Sequence, residues 1–136
     1  MKILIIEDED IKYNHIKNYL NKLGETNITR KISRNGALKH IADKYDNNES
    51  YDLIICDNYM PIYDNEPMTI KACGLFIAEH IKHRYGNKFT ICICSSGKLD
   101  EGKYDFSIAY DSSIDLTEDF EMLLNMVKKH YNTKGE

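Results

Sequence analysis

Three apolar segments of the chain end in side chains that can do chemistry. Glu7 and Asp8 follow the first segment, Asp57 follows the second, and Ser95 and Ser96 follow the third. If the segments are parallel strands, their endings meet at one edge of a sheet, where open α/β sheets bind ligands. Carboxylates gathered there repel one another unless a cation joins them. Because oxygen donors suit a hard divalent ion, we expect Mg²⁺ at this edge.

The hydrophobic pattern predicts strands that alternate with helices. Continuous apolar runs predict strands buried on both faces at 3–6, 53–56 and 91–94. Weaker strands are expected at 26–32 and 106–110, and residues 58–72 are expected to be irregular. Apolar residues at helical spacing indicate helices at 11–23, 36–45, 74–86 and 118–130. This alternation predicts a doubly wound five-stranded parallel sheet with helices on both faces.

In the first predicted helix, the residues assigned to the buried stripe are Ile11, His15, Ile16, Tyr19, Leu20 and Leu23.

Composition narrows the class of protein. A length of 136 residues fits one domain, so we expect residues 1–136 to form a single domain. The chain has 18 Lys plus Arg and 22 Asp plus Glu, a net charge of -4, which gives no basic footprint for nucleic acid or an anionic membrane. No apolar run is long enough to span a bilayer. The four cysteines lie mostly in apolar runs, which favours a reducing, cytoplasmic location.

Several segments resemble bacterial response-regulator receiver domains of the chemotaxis-regulator type. Residues 51–61, YDLIICDNYMP, closely resemble the phospho-acceptor strand of that family, including the Met-Pro that begins three residues after the aspartate. Residues 2–9 resemble the family's acidic opening, residues 74–79 its glycine and following helix, and residues 91–95 its strand that ends in Ser or Thr. The resemblance covers most of the chain in the family's order. It implies the flavodoxin-like receiver fold.

The resemblance also implies a function. Asp57 would accept a phosphoryl group from a histidine kinase or a phosphotransfer protein, as in two-component or phosphorelay signalling. The Mg²⁺ ligands that it implies are Glu7, Asp8, Asp57 and the backbone carbonyl of Tyr59. Ser95 would donate its hydroxyl to the phosphoryl group, with Ser96 as the alternative. Such a domain is not a turnover enzyme, and a stand-alone receiver would signal by binding an unknown downstream protein.

Three departures from the family pattern favour an alternative function. The family has a Lys at the end of the last strand, whereas residues 106–111 contain none. Residues 62–73 form an insertion after Met60-Pro61, and residues 96–104 are too few for a full fourth helix. The alternative is therefore a degenerate receiver that acts as a phosphorylation-independent protein interaction module.

Two other pairs of metal-ligand residues have simpler explanations. Cys92 and Cys94 share one side of a predicted strand, and no second pair at zinc spacing follows them, so we interpret them as core. His80 and His83 lie three apart on a predicted helix and are more typical of a polar helix face than of a metal site.

Overall fold

A five-stranded parallel sheet forms the centre of the protein. The computed structural model describes residues 1–66, 68 and 70–134. In their order across the sheet, the strands are β2 (Ile28–Lys31), β1 (Ile3–Ile6), β3 (Leu53–Cys56), β6 (Thr90–Ser95) and β7 (Phe106–Ala109). All four pairings are parallel. The three apolar runs that predict buried strands are the three central strands, and every residue in them is buried.

Four helices cover the two faces of this sheet. They are α1 (Asp10–Lys22), α2 (Arg34–Asp46), α3 (Gly74–Tyr85), which continues into a 3₁₀ turn at Gly86–Lys88, and α4 (Thr117–Lys134). Alternate residues of each central strand point to opposite faces. Those on one face pack with α2 and α3, and those on the other pack with α1 and α4. The doubly wound five-stranded architecture that the sequence predicts is confirmed.

The predicted irregular segment 58–72 contains a β-hairpin instead. Its strands are β4 (Tyr59–Pro61) and β5 (Ile70–Ala72), which pair antiparallel outside the main sheet. Met60 is fully buried and anchors β4 to the core. The prediction of irregular structure is wrong here because each strand has only three residues, too few for an alternating pattern to show.

The connection between β6 and β7 has no helix. Residues 96–105 form bends and extended chain only, as their short length predicts. Within the described residues, none of the helices has an apolar stretch long enough to cross a bilayer.

The buried face of α1 is shifted by one position from the predicted stripe. Ile11 is 84% exposed, although the sequence pattern places it inside. The neighbouring Lys12 is buried instead, on the same face as Ile16, Tyr19 and Leu20. A lysine therefore begins the inner face of the helix that follows the acidic pair.

Candidate functional site

The candidate site lies where three neighbouring strands end. Glu7 follows β1, Asp57 follows β3, and Ser95 is the last residue of β6. The ladder between β1 and β3 continues past the strands, because the backbone N–H of Asp57 donates to the carbonyl of Ile6 over 3.1 Å. The backbone N–H of Glu7 likewise donates to Lys31 of β2 over 2.9 Å. These bonds fix the strand endings side by side at the carboxyl edge of the sheet.

Three carboxylates meet at this edge. Glu7, Asp8 and Asp57 each offer one oxygen, and these oxygens all lie within 4.8 Å of one another. Among the described residues, no other set of three or more His, Cys, Asp or Glu side chains is as tightly grouped. Mg–O bonds of about 2.1 Å place opposite ligand oxygens about 4.2 Å apart, close to this spacing.

Glu7 is the buried member of the group and supports the metal assignment. Its side chain is 1% exposed, and its Oε2 accepts a hydrogen bond from the backbone N–H of Glu9 over 3.1 Å. Its Oε1 has an ion-pair partner in Lys12 but no well-formed hydrogen bond among the described residues. A buried carboxylate oxygen with lone pairs to spare is what a hard cation would use. The donor set therefore fits a divalent metal.

The pKa of Glu7 is shifted upward in this position. Burial raises the pKa of Glu7 to about 7, Lys12 opposes the rise, and the nearby Asp57 carboxylate adds to it. Burial is the largest cause because it removes the water that would stabilise the ionised carboxylate.

The side chain of Asp57 is partly exposed, and one of its carboxylate oxygens is held by a hydrogen bond. Its side chain is 14% exposed. Its Oδ1 accepts a 2.7 Å hydrogen bond from the backbone N–H of Asn58, while its Oδ2 accepts none from the described part of the chain. The backbone behind it is rigidly packed, since a Cβ added to Gly74 would lie 2.7 Å from the Asp57 carbonyl oxygen. The side chain is thus positioned with one oxygen available for chemistry.

Lys12 is the site residue that the sequence pattern does not reveal. Its Nζ lies 3.1 Å from Glu7 Oε1 and 3.1 Å from Asp57 Oδ1, and it donates a 2.7 Å hydrogen bond to the carbonyl of Cys94. Burial lowers the pKa of this lysine, but Glu7 and Asp57 raise it by more, so the net shift is upward and the ammonium stays charged. One cation therefore joins the endings of β1, β3 and β6.

Comparison with known proteins agrees with this architecture. No protein-family model matches the chain, and no curated protein matches it in sequence. The chain does match solved structures. One is a response regulator receiver domain protein from Clostridium thermocellum, which is 20% identical to this chain in sequence. The match has a TM-score of 0.71 and covers 97% of each chain. The chain has the receiver fold. The resemblance that the sequence indicates is confirmed at this level.

Two other structures with the receiver fold were solved with ligands. A response regulator protein from Thermotoga maritima, in complex with Mg(2+)-BeF, is 22% identical with a TM-score of 0.67, covering 93% of this chain and 99% of that one. The receiver domain of a sensor histidine kinase from Pseudomonas aeruginosa, with magnesium in its active-site cleft, is 18% identical with a TM-score of 0.65, covering 93% and 97%.

The other predicted site residues are placed as follows in this receiver fold. Ser95 is buried at the end of β6, and its carbonyl accepts a 3.0 Å hydrogen bond from the backbone N–H of Tyr110. Ser96 is exposed one residue beyond the strand. Tyr59 begins β4, with its ring 51% exposed. Burial at the strand end favours Ser95 over Ser96 as the hydroxyl nearest the site, and both assignments stay predictions.

The last strand of this receiver fold ends without a cation. β7 ends at Ala109, which is exposed, and Lys98 and Lys103 are exposed in the preceding loop. Among the described residues, Lys12 is the one cation within 4.0 Å of Asp57. Positive charge reaches Asp57 from α1 instead of from β7.

The β4–β5 hairpin is fastened to the start of α2. The Ser33 hydroxyl caps α2 by accepting a 3.0 Å hydrogen bond from the backbone N–H of Gly36, and it donates to the Asp64 carboxylate. The backbone N–H of Asn35 donates to the carbonyl of Ile62 over 3.0 Å. Asp64 and Ile62, which follow β4, are therefore tied to the start of α2.

Within the part of the chain that the structure describes, neither alternative metal pair gains a third ligand. Cys92 and Cys94 are buried in β6, where burial raises the pKa of both thiols and disfavours the thiolate form that metals bind. His80 and His83 lie on α3 and join no group of three metal-ligand side chains among the described residues.

Proposed function

We propose that residues 1–136 act as a single response-regulator receiver domain that accepts a phosphoryl group on Asp57 in two-component or phosphorelay signalling. The observation that carries the proposal is the carboxylate group formed by Glu7, Asp8 and Asp57, whose oxygens lie within 4.8 Å of one another. The open Oδ2 of Asp57 supplies the nucleophile. The receiver fold places this group at the edge where open α/β sheets bind ligands.

The proposed metal ligands are the three carboxylates and the backbone carbonyl of Tyr59. When bound, Mg²⁺ supplies positive charge to the oxygens of the phosphoryl group during transfer. The chain itself holds Asp57 in place through the Asn58 N–H and the Lys12 ammonium. Ser95, buried at the end of the adjacent strand, would donate its hydroxyl to a phosphoryl oxygen.

The reaction is a phosphoryl transfer from a histidine kinase or a phosphotransfer protein. Oδ2 of Asp57 forms a bond to phosphorus while the bond from phosphorus to the donor's imidazole nitrogen breaks. The electron pair of that bond returns to the imidazole ring. The product is an acyl phosphate on Asp57, so the chain takes part in the transfer as a phosphoprotein rather than as a turnover enzyme.

A small phosphate donor tests the proposal directly. Incubation with acetyl phosphate and Mg²⁺ should add the mass of one phosphoryl group, and chelation of the metal should prevent the gain. Asp57→Asn should abolish it. Asp100→Asn, which neutralises an exposed loop carboxylate, is the matched control and should leave the gain unchanged. A wild-type protein that never gains this mass would refute the acceptor function.

The second candidate is a phosphorylation-independent interaction module. Two observations favour it: β7 ends without a cation, and Lys12 already neutralises part of the charge on Asp57 and Glu7. This candidate predicts no mass gain with acetyl phosphate, and it predicts partner binding that is the same for wild type and Asp57→Asn.

Output in either case is proposed to occur through protein contact. The net charge of -4 gives no basic surface of the kind that binds nucleic acid or anionic membranes. We propose a cytoplasmic location, where a reducing environment keeps the four buried cysteines as free thiols. We propose that the downstream partner is a protein.

A further inference from the structure

Lys12 is fully paired within the site. An ammonium has three N–H donors, and three oxygens lie within 3.1 Å of Lys12 Nζ: Glu7 Oε1, Asp57 Oδ1 and the carbonyl oxygen of Cys94. The side chain is only 7% exposed. A buried ammonium is stable only when it is paired in this way, so these contacts keep the ammonium between Glu7 and Asp57.

The carboxylates of the site carry more negative charge than Lys12 neutralises. Glu7, Asp8 and Asp57 contribute three negative charges when ionised, and Lys12 contributes one positive charge, so the group sums to −3 + 1 = −2. A divalent cation matches that remainder. The ammonium therefore need not compete for the whole site, and it contacts one oxygen each of Glu7 and Asp57.

A phosphoryl group on Asp57 would move the negative charge outward. Formation of the acyl phosphate removes the charge of the Asp57 carboxylate, and the phosphoryl oxygens bring negative charge of their own. Lys12 contacts Oδ1, on the same carboxyl group as the reacting Oδ2, and its flexible stem has four carbons. It is the one cation within 4.0 Å of Asp57 among the residues that the structure describes. The ammonium can follow the charge by a short movement.

We propose that Lys12, reaching from α1, is the phosphoryl-binding cation of this site, holding Asp57 before transfer and the phosphoryl group afterwards. The proposal deepens the acceptor function and rests on it. Because Lys12 also bonds to Cys94 of β6 and lies 5.0 Å from the Tyr110 ring, its movement would connect Asp57 to both of those residues.

Beryllofluoride, formed from beryllium and fluoride salts, is the probe for this contact because it mimics a phosphoryl group on a carboxylate. Its affinity in the presence of Mg²⁺, and Mg²⁺ affinity alone, are to be measured by calorimetry. The variants are Lys12→Gln, which removes the charge, and Lys12→Arg, which keeps it. Lys22→Gln is the matched control, since Lys22 is exposed in the last turn of the same helix.

A phosphoryl-binding role for Lys12 predicts different effects on the affinities for beryllofluoride and for Mg²⁺. Lys12→Gln should weaken beryllofluoride binding by at least about tenfold, the loss of one charge-assisted contact. It should leave Mg²⁺ binding unchanged or tighter, because one competing positive charge is gone. Lys12→Arg should restore part of the beryllofluoride affinity, and Lys22→Gln should match wild type. Circular dichroism establishes that each variant is folded at the titration temperature.

Each contrary result has its own meaning. Equal beryllofluoride affinity in wild type and Lys12→Gln overturns the role of Lys12 alone and leaves the acceptor function standing. Parallel losses of Mg²⁺ and beryllofluoride affinity show a merely structural lysine. If wild type binds no Mg²⁺ and Lys12→Gln gains it, Lys12 occupies the place of the metal and the proposal is wrong. If wild type and both Lys12 variants bind neither ligand, the acceptor function fails as well.

Discussion

Gly74→Ala tests how closely the position of Asp57 depends on the start of α3. A Cβ at this position would lie 2.7 Å from the Asp57 carbonyl oxygen and 2.8 Å from the Asn58 Cα. Both are backbone atoms, which cannot swing aside as the end of a flexible side chain can. Reaching an ordinary contact of 3.4 Å requires a displacement of 3.4 − 2.7, about 0.7 Å.

The expected cost follows from this displacement. Overpacking of this kind costs about 1–3 kcal/mol, and the better helix propensity of Ala offsets up to about 1 kcal/mol. We expect a net loss of about 1–2 kcal/mol in the free energy of unfolding, or about 4–8 °C in Tm for a chain of this length. Because Asp57 shifts with its backbone, the rate of phosphoryl uptake from acetyl phosphate should fall by about tenfold or more.

Gly97→Ala is the matched control. No atom lies within 4 Å of a Cβ at Gly97, so this variant should keep the stability and the uptake rate of wild type. Thermal unfolding by circular dichroism gives the first quantity, and the initial rate of mass gain gives the second. Identical stability and uptake rate in the Gly74 and Gly97 variants would contradict this prediction.

Three further predictions concern residues outside the carboxylate group. Burial, Lys31 and Lys44 lower the pKa of His40 from 6.5, so its contribution to stability is present above that pH and is lost as the pH falls. Between pH 7.5 and pH 5, the free energy of unfolding in urea should therefore fall less in His40→Asn than in wild type. Parallel pH dependences of the two proteins would contradict this. Ser33→Ala should cost about 1 kcal/mol in urea unfolding and speed proteolysis within the hairpin, and wild-type behaviour in both would disprove the anchoring role. The four buried thiols should react slowly with iodoacetamide until the protein is unfolded, and rapid alkylation of the native chain would count against their burial.

The central strands were predictable because burial on both faces leaves a mark in the sequence. Each of the runs at 3–6, 53–56 and 91–94 is apolar throughout, and each is a strand in the structure. The carboxylate group was predictable for a related reason, since parallel strands of one sheet end at the same edge. Glu7 and Asp57 are placed together by chain direction and register alone.

Lys12 was not predicted because the α1 pattern supports two registers. Placing Ile11 inside gives an apolar stripe, yet the structure exposes Ile11 and buries Lys12. The ammonium is stable there only because two carboxylates from other strands surround it, and a helical pattern contains no information about them. One signal was present: Lys12, Ile16, Tyr19 and Leu20 have the i, i+4, i+7, i+8 spacing of a single helix face.

The β4–β5 hairpin was also not predicted, for a different reason. Its pairing is short, and its position depends on contacts with distant residues, such as the bond between Ser33 and Asp64. Contacts across about thirty residues of sequence do not follow from a local pattern.

The most direct test of the account is the position of the phosphoryl group in the chain. An acyl phosphate formed with acetyl phosphate and Mg²⁺ can be reduced with borohydride, which converts the modified aspartate to homoserine, and the product can be located by peptide mass spectrometry. We expect homoserine at residue 57 and unmodified carboxylates at residues 7 and 8. Homoserine at another aspartate, or at none, would contradict it.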